Sequence, residues 1–154
     1  MNSLVDEQII DALYRASNAG VSVEILVRGM CALRPGVSGL SENIKVRSVL
    51  GRYLEHSRAF TFNGGGDPAV YIGSADMMHR NLDRRVEALV RLVQPDHIRD
   101  INELFDLAMS DQVASWHLDS EGKWSRHQFG EGGVRLTDVQ DQIMKDVHAK
   151  RNAR

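Results

Sequence analysis

Hydrophobic and polar residues alternate on both sides of a glycine-rich segment near the middle of the chain. Ala59-Phe60-Thr61-Phe62 precedes this segment and Ala69-Val70-Tyr71-Ile72 follows it, while residues 63–67 read Asn-Gly-Gly-Gly-Asp. A period of two residues predicts strands, and a short glycine-rich connection predicts that the two strands pair as a hairpin. The sequence therefore predicts a β-hairpin with its turn around residues 64–66.

Apolar residues recur at helical spacing near both ends of the chain. Ser3 has the side chain of an N-cap and Gly20 is placed as a C-terminal glycine, which predicts a helix of about 16 residues between them. Further helices are predicted over residues 95–110 and 136–150, and a short one over residues 77–85.

The remaining apolar stretches predict strands over residues 21–27, 44–49, 86–92, 113–118 and 123–127, of which 86–92 is expected to lie in the core. Alternating helices and strands favour an α/β fold, with a mixed sheet because the hairpin must be antiparallel. We therefore expect a mixed sheet flanked by helices, followed by a short α+β extension at the C-terminus.

Length and composition fit one ordinary globular domain. The chain has 154 residues, 42% of them hydrophobic and 26% charged. It has no apolar run of the roughly 20 residues that a membrane helix needs, and no signal-peptide pattern. Cys31 is the only cysteine, so an internal disulfide and a multi-cysteine metal site are excluded, and a cytoplasmic location is expected.

Basic residues are concentrated in the middle of the chain, although the net charge is −2. Residues 28–91 contain ten Lys and Arg against six Asp and Glu, whereas residues 1–27 contain one against four and residues 92–154 eight against eleven. This distribution favours a local anionic ligand over a nucleic-acid surface. The alternative, a solvated face with scattered charges, stays open on charge alone.

His56 is the histidine best placed for chemistry, because it stands at the entrance of a predicted strand beside Arg58 in the basic region. Imidazole can move a proton or donate a hydrogen bond to a phosphoryl oxygen near neutral pH. A plain surface histidine is the alternative. The other five are expected to be exposed and to form no metal site: His79, His97, His117, His127 and His148.

Several arginines are candidates for phosphate contacts. Arg28 follows the predicted strand over residues 21–27, and ligands of α/β sheets bind beyond the carboxyl ends of strands. Arg84 and Arg85 precede Glu87, which could hold a guanidinium group or ligate Mg²⁺, although a surface salt-bridge cluster explains the same pattern. Residues 64–66 lack the Lys-Ser/Thr of a phosphate-binding loop and are interpreted as a hairpin turn.

Four separated segments resemble the C-terminal part of the long-chain bacterial polyphosphate kinases. They are residues 25–36 (Ile-Leu-Val-Arg-Gly-Met-Cys-Ala-Leu-Arg-Pro-Gly), 39–44 (Gly-Leu-Ser-Glu-Asn-Ile), 54–58 (Leu-Glu-His-Ser-Arg) and 73–76 (Gly-Ser-Ala-Asp) continuing to 81–87 (Asn-Leu-Asp-Arg-Arg-Val-Glu). The resemblance runs from about residue 3 to residue 92 and more loosely to residue 127. Residues 129–154 match no motif of the family.

The resemblance implies a phospholipase D-like fold, in which two similar halves each offer a histidine to one phosphate site. His56 matches the partner histidine, whereas the phosphorylated histidine belongs to the preceding half. Arg28 matches an arginine that binds nucleotide phosphate, Arg85 and Glu87 match residues of the active-site tunnel, and Arg58 has a supporting place.

Two departures from the phospholipase D motif His-x-Lys-x₄-Asp favour the kinase over a lipase or nuclease. Arg58 stands in place of the Lys, and Asn63 stands where the Asp would be. Gly73-Ser74 still resembles the downstream Gly-Ser-x-Asn, with Asp76 in place of the Asn.

The implied activity is reversible transfer of the ATP γ-phosphoryl group to polyphosphate, with ATP/ADP and Mg²⁺ as cofactors. Domain limits of 1–128 and 129–154 are expected. Because the family's chains are several times longer, this chain is expected to be an inactive fragment whose partners are ATP, polyphosphate and the remaining kinase domains. The resemblance also implies a homo-oligomer in the full-length enzyme, no nucleic acid, and a cytoplasmic location compatible with peripheral contact to the inner membrane.

Two other functions stay open at this point. One is a phospholipase D-like phosphodiesterase or nuclease half-site that becomes active as a dimer. The other is a non-catalytic module that binds polyanions.

Overall fold

The computed structural model describes residues 1–64, 66 and 68–152, which form four helices and eight strands. The helices are α1 (Glu7–Asn18), α2 (His79–Leu82), α3 (Pro95–Met109) and α4 (Val139–Asn152). The strands are β1 (Val23–Leu26), β2 (Ile44–Ser48), β3 (Ala59–Phe62), β4 (Ala69–Gly73), β5 (Leu89–Leu92), β6 (Val113–Leu118), β7 (Trp124–His127) and β8 (Thr137–Asp138). A short 3₁₀ turn, Glu131–Gly133, precedes β8.

Five of these strands form a mixed sheet, which confirms the expected fold class. Their order is β1-β2-β6-β7, and β8 also pairs with β6. β1 runs parallel to β2 and β8 parallel to β6, while β2 and β7 are antiparallel to β6. The hairpin is not the source of this mixed character, because it belongs to a separate sheet.

The predicted hairpin is confirmed as β3 and β4, which pair from Ala59 opposite Ile72 to Phe62 opposite Ala69. β5 continues on the other side of β4, giving a three-stranded antiparallel sheet. Two residues of the predicted turn, Gly65 and Asp67, lie outside the described residues.

The expectation that residues 86–92 form a core strand is wrong. The strand itself exists, but Leu89 is 61% exposed and Val90 is 55% exposed. An apolar run shows that a strand has a hydrophobic surface, but it does not show whether that surface is buried within the same chain.

The main core lies between α1 and the first two strands of the mixed sheet. Its buried residues are Leu4, Ile10, Ile25, Val27, Leu33, Ile44 and Val46. A second, smaller cluster joins α3 to the start of α4 through Ala108, Val113 and Val139.

The chain start is extended and not helical, so Ser3 is not the N-cap of α1. Leu4 is fully buried and forms isolated bridges to both Cys31 and Met77. Asp6 caps the helix instead, because its Oδ1 accepts a hydrogen bond from the backbone N–H of Ile9 at 3.0 Å. The predicted C-terminal end is confirmed: Gly20 follows the helix with a φ of 85°, which a residue without Cβ adopts freely.

α4 begins at Val139, later than the predicted residue 136, because Thr137 and Asp138 first pair with β6. Asp138 then caps the helix, accepting hydrogen bonds from the backbone N–H groups of Gln140 (2.8 Å) and Asp141 (3.3 Å). The predicted division between residues 128 and 129 stays a prediction. Within the described part of the chain, no helix is both long enough and apolar enough to cross a bilayer.

Candidate functional site

Asp76, three residues beyond β4, is the centre of a polar network at one end of the hairpin. Its side chain is buried, with only 3% of its surface exposed. Arg58 donates to both carboxylate oxygens, from Nε to Oδ1 at 3.1 Å and from Nη2 to Oδ2 at 2.9 Å. The backbone N–H of Asn2 donates to Oδ1 at 2.7 Å. The guanidinium group is therefore held in the two-pronged geometry that fixes an arginine most firmly.

Two opposing effects act on the charge of Asp76. Burial, the largest single influence, would raise the pKa of its carboxyl group. Hydrogen bonds from Arg58 and from backbone N–H groups, together with the charge of Arg58, outweigh burial and lower the pKa below its ordinary value. Asp76 is therefore ionised at neutral pH and acts as the counter-ion of Arg58.

Arg58 joins this buried carboxylate to the exposed ring of His56. Its Nη1 lies 2.9 Å from Nδ1 of the imidazole and 3.1 Å from the backbone oxygen of His56, while Nη2 lies 3.2 Å from Nε2. The two ring nitrogens point in different directions, so both contacts together require the guanidinium group to lie against the ring. Arg58 thus holds the imidazole from one side and leaves the other side to solvent.

Arg28 joins the same network from the end of β1. Its Nη2 donates to Oδ1 of Asn2, whose backbone N–H in turn donates to Asp76. The Nε atom of Arg28 is buried and has no hydrogen-bond partner among the described residues. The predicted phosphate ligands Arg28 and His56 are therefore connected through three intervening residues, Asn2, Asp76 and Arg58.

Close packing keeps Asn2 in this position. The backbone N–H of Gly29 donates to the carbonyl of Asn2 at 2.7 Å, and a Cβ at Gly29 would stand only 2.8 Å from that oxygen. A side chain at position 29 would push the chain start away from β1, so the glycine after Arg28 is required here for close approach.

Glu87 is held by hydrogen bonds beside the predicted ligand Arg85. Asn81 donates to its Oε1 at 2.6 Å, Ser74 donates to Oε2, and Nε of Arg85 lies 3.6 Å from Oε1. The hydrogen bond from Ser74, then that from Asn81, then the charges of Arg85 and Arg58 lower the pKa of Glu87. Glu87 is thus a fixed anion, and Arg85, with 55% of its side chain exposed, is the outward-facing cation.

Sequence reasoning missed Asn2 and gave Asp76 no role. A signal for Asp76 existed, since Arg58 and Asp76 flank the hairpin and an antiparallel hairpin brings its two ends together. No sequence pattern indicated Asn2, because its place depends on how residues 1–6 lie between residues 28–32 and Met77.

His79 is exposed on a helix, as expected, and it lies among carboxylates that the sequence did not indicate. Its Nδ1 lies 3.2 Å from Asp6 and 3.0 Å from Asp83, and its Nε2 lies 2.6 Å from Glu7. Candidate metal-ligand atoms of Asp6, Glu7 and His79 lie within 4.8 Å of one another. Hydrogen bonds to Glu7 and Asp83, followed by the negative charge of Glu7, raise the pKa of His79, so the imidazolium is itself the cation of this cluster.

His127 is exposed on a strand, as expected, whereas His117 is only partly exposed, and their rings stack with centroids 3.8 Å apart. Burial, followed by the charges of Arg47 and His127, lowers the pKa of His117 to about 4. Both rings belong to paired strands of the mixed sheet. This pair belongs to the β6–β7 ladder and shares no contact with the network around Asp76 among the described residues.

The family model "Polyphosphate kinase C-terminal domain 2" matches residues 1–136 of this sequence. The chain belongs to this family. The polyphosphate kinase of Streptomyces coelicolor is 58% identical over 154 residues, which is all of this chain and 20% of the relative. That of Mycobacterium tuberculosis strain H37Rv is 51% identical over 145 residues, covering 94% of this chain and 19% of the relative.

A crystal structure of the polyphosphate kinase from Porphyromonas gingivalis superposes with a TM-score of 0.91 at 34% identity, covering 100% of this chain and 23% of that one. This chain thus spans about a fifth of the length of the curated polyphosphate kinases it matches. The family resemblance and the α/β fold are confirmed. The roles of His56, Arg28, Arg85, Glu87 and Arg58 stay predictions.

Proposed function

We propose that this chain supplies one wall of the phosphoryl-transfer site of a polyphosphate kinase. The reaction is reversible transfer of the ATP γ-phosphoryl group to inorganic polyphosphate, through a phosphohistidine on a preceding domain outside this chain. The observation that carries the proposal is the network that joins Arg28, Arg58 and His56 to one buried carboxylate, in a chain of this family.

The arginines would neutralise phosphate charge, which is the main requirement of phosphoryl transfer. Arg58 is fixed by Asp76 before any ligand arrives, so no ordering cost falls on it when phosphate binds. Arg28 retains a buried Nε–H without a partner, and Arg85 extends outward beside Glu87. Phosphate oxygens are acceptors that suit these donors.

His56 would donate a hydrogen bond to the phosphoryl group or move a proton near it. Both ring nitrogens lie near Arg58, Nδ1 at 2.9 Å from Nη1 and Nε2 at 3.2 Å from Nη2, so the ring is held in place beside the ion pair of Arg58 and Asp76. An N–H of this exposed ring could reach a phosphoryl oxygen from the side that Arg58 leaves open.

In the proposed site, Mg²⁺ would be held through the substrate phosphates and not by Glu87. Both oxygens of Glu87 already accept hydrogen bonds from Asn81 and Ser74, so the carboxylate is suited to orient Arg85 and not to hold an ion by itself. Magnesium in kinases is bound largely by nucleotide phosphates and water. When bound in that way it would neutralise phosphate charge.

Further parts of the proposal follow from family membership. The partners would be ATP, polyphosphate and the remaining kinase domains, in a homo-oligomeric full-length enzyme with a cytoplasmic location. Residues 1–128 would form the phospholipase D-like unit and residues 129–154 its extension.

A chimera tests the proposal, because the S. coelicolor relative matches the whole chain at 58% identity. Replacing the matched segment of that enzyme by this chain should keep ATP-dependent polyphosphate synthesis within about tenfold of the parent rate. The isolated 154-residue chain should show none above background. A folded chimera without synthesis, or synthesis by the isolated chain, contradicts the proposal. Salt-sensitive polyphosphate binding by an inactive chimera that survives His56→Ala would favour the polyanion-binding alternative.

A further inference from the structure

The C-terminal helix α4 contacts the loop that carries His56, although it lies beyond residue 136, where the family model ends. The contact is made by Gln140, the second residue of the helix. Its Oε1 accepts a hydrogen bond from the backbone N–H of Tyr53 at 2.8 Å, and its Nε2 donates to the backbone oxygen of Tyr53 at 2.7 Å. These groups are 87 residues apart in sequence.

The loop needs such support because residues 49–58, between β2 and β3, belong to no helix or strand. A side-chain amide that bonds both the N–H and the C=O of one residue reproduces the paired hydrogen bonds of an antiparallel ladder. Gln140 therefore acts on this loop as a neighbouring strand would, at a point three residues before His56.

Gly51 shows that the fit is close. A Cβ at this position would lie 2.3 Å from Oε1 and 2.6 Å from Cδ of Gln140. The obstructing atoms are the far end of a flexible side chain, so an alanine at position 51 would displace the amide and leave the backbone in place. Gly51→Ala is thus a second, independent way to break the same contact.

The other end of the contact is anchored in the fold. Val139, next to Gln140, is buried in the cluster with Ala108 and Val113. Asp138 pairs with β6 and caps α4 at the backbone N–H of Gln140. The amide of Gln140 is therefore presented to the loop from a fixed position.

We infer that Gln140 is a positioning residue, which holds the loop at Tyr53 so that His56 stays against Arg58. The inference deepens the proposed function and rests on it. It gives α4, which lies beyond the end of the family model at residue 136, a role in the same site. Arg28 and Arg85 have no contact with Gln140 in the described structure, so Gln140 should affect the step that uses His56 and not phosphate binding by these arginines.

The first arm of the test uses the 154-residue chain and does not depend on activity. In Gln140→Ala, amide hydrogen exchange at Tyr53 should rise by about tenfold or more, and the ring resonances of His56 should shift. Gln142→Ala is the matched control, since Gln142 lies on the same helix and bonds only Asp146 among the described residues. Exchange and His56 resonances as in the unaltered chain would overturn the inference.

The second arm uses the S. coelicolor chimera described above. Gln140→Ala should lower kcat several-fold with an unchanged KM for ATP, and Gly51→Ala should do the same. The double variant should be no worse than either single one, because both changes break one contact. Gln140→Glu keeps the oxygen that accepts from Tyr53 and loses the N–H that donates to it, so its kcat should lie between those of the unaltered chimera and Gln140→Ala. An unchanged kcat in Gln140→Ala, or a rise in KM alone, would overturn the positioning role, whereas failure of the proposed function shows as an inactive unaltered chimera.

Discussion

Replacing Asp76 by a neutral residue should lower the folding stability of the chain, because Asp76 is the buried centre of the polar network. In Asp76→Asn the shape of the side chain is kept, but the counter-ion of Arg58 is lost and an amide N–H₂ replaces an acceptor that faces Nη2. The side chain of Arg58 is only 13% exposed, so its charge cannot simply return to water. Breaking a buried ion pair by removing one partner costs about 3–5 kcal/mol, and the surviving contacts to Oδ1 reduce this to about 3 kcal/mol.

Urea denaturation followed by circular dichroism measures this difference directly. Asp96→Asn serves as the control, since Asp96 forms an exposed i,i+3 pair with Arg99 and its loss should cost at most about 1 kcal/mol. If both variants lose the same stability, the view of Asp76 as the buried centre of the site is refuted.

Asp76 should also make the folding stability of the chain depend on pH. The pKa of Asp76 is lowered in the folded chain, so its contribution is present above the unfolded pKa of about 3.9 and is lost as pH falls through the folded value. Stability measured from pH 5 downward should therefore fall less steeply in Asp76→Asn than in the unaltered chain. Equal slopes would mean that Asp76 is not an important buried anion.

Three further predictions concern residues outside the network. The pKa of His117 is lowered to about 4, so its contribution to the free energy of unfolding is complete above the unfolded pKa of about 6.5 and is lost as pH falls toward 4. Because the ring is partly exposed, this loss is limited to about 1–2 kcal/mol. Urea titrations at pH 7 and pH 5 should show the loss in the unaltered chain and not in His117→Gln. His79 has a raised pKa, so its contribution to stability is complete below about pH 6.5 and is lost as pH rises. The difference in Tm between the unaltered chain and His79→Gln should therefore shrink from pH 5.5 to pH 8.5, and also with added salt. A difference that stays constant would refute a stabilising interaction between His79 and its carboxylate partners. Leu4 is fully buried at the junction of three segments, so Leu4→Ala should cost about 3 kcal/mol in urea denaturation, whereas a loss below about 1 kcal/mol would show that the chain start is not part of the core.

The hairpin and the C-terminal end of α1 could be predicted from the sequence, because each is determined by residues close together in the chain. The alternation at residues 59–62 and 69–72 led to the correct hairpin, and Gly20 marked the end of α1 correctly. The N-cap was wrong because Ser3 and Asp6 both have suitable side chains, and the choice was made by the pairing of Leu4 with Cys31 and Met77. Local signals cannot decide between two caps when tertiary pairing selects one of them.

In the candidate site, the sequence indicated individual residues but not the contacts that join them. His56 and Arg28 became candidates through their places at predicted strand ends and through the family motifs. The links between them depend on a backbone N–H of Asn2 and on a carboxylate 18 residues from Arg58, which only the folded chain brings together. Gln140 was out of reach for sequence reasoning, because a glutamine near a helix start carries no signal for a partner 87 residues away.

Polyphosphate synthesis by the His56→Ala chimera tests most directly the claim that this chain contributes an imidazole to a phosphoryl-transfer site. His97→Ala is the matched control, since His97 is an exposed histidine on α3. We expect His56→Ala to lower the synthesis rate by about tenfold or more, and His97→Ala to leave it unchanged. A His56→Ala chimera that folds and synthesises polyphosphate at the unaltered rate would contradict the account.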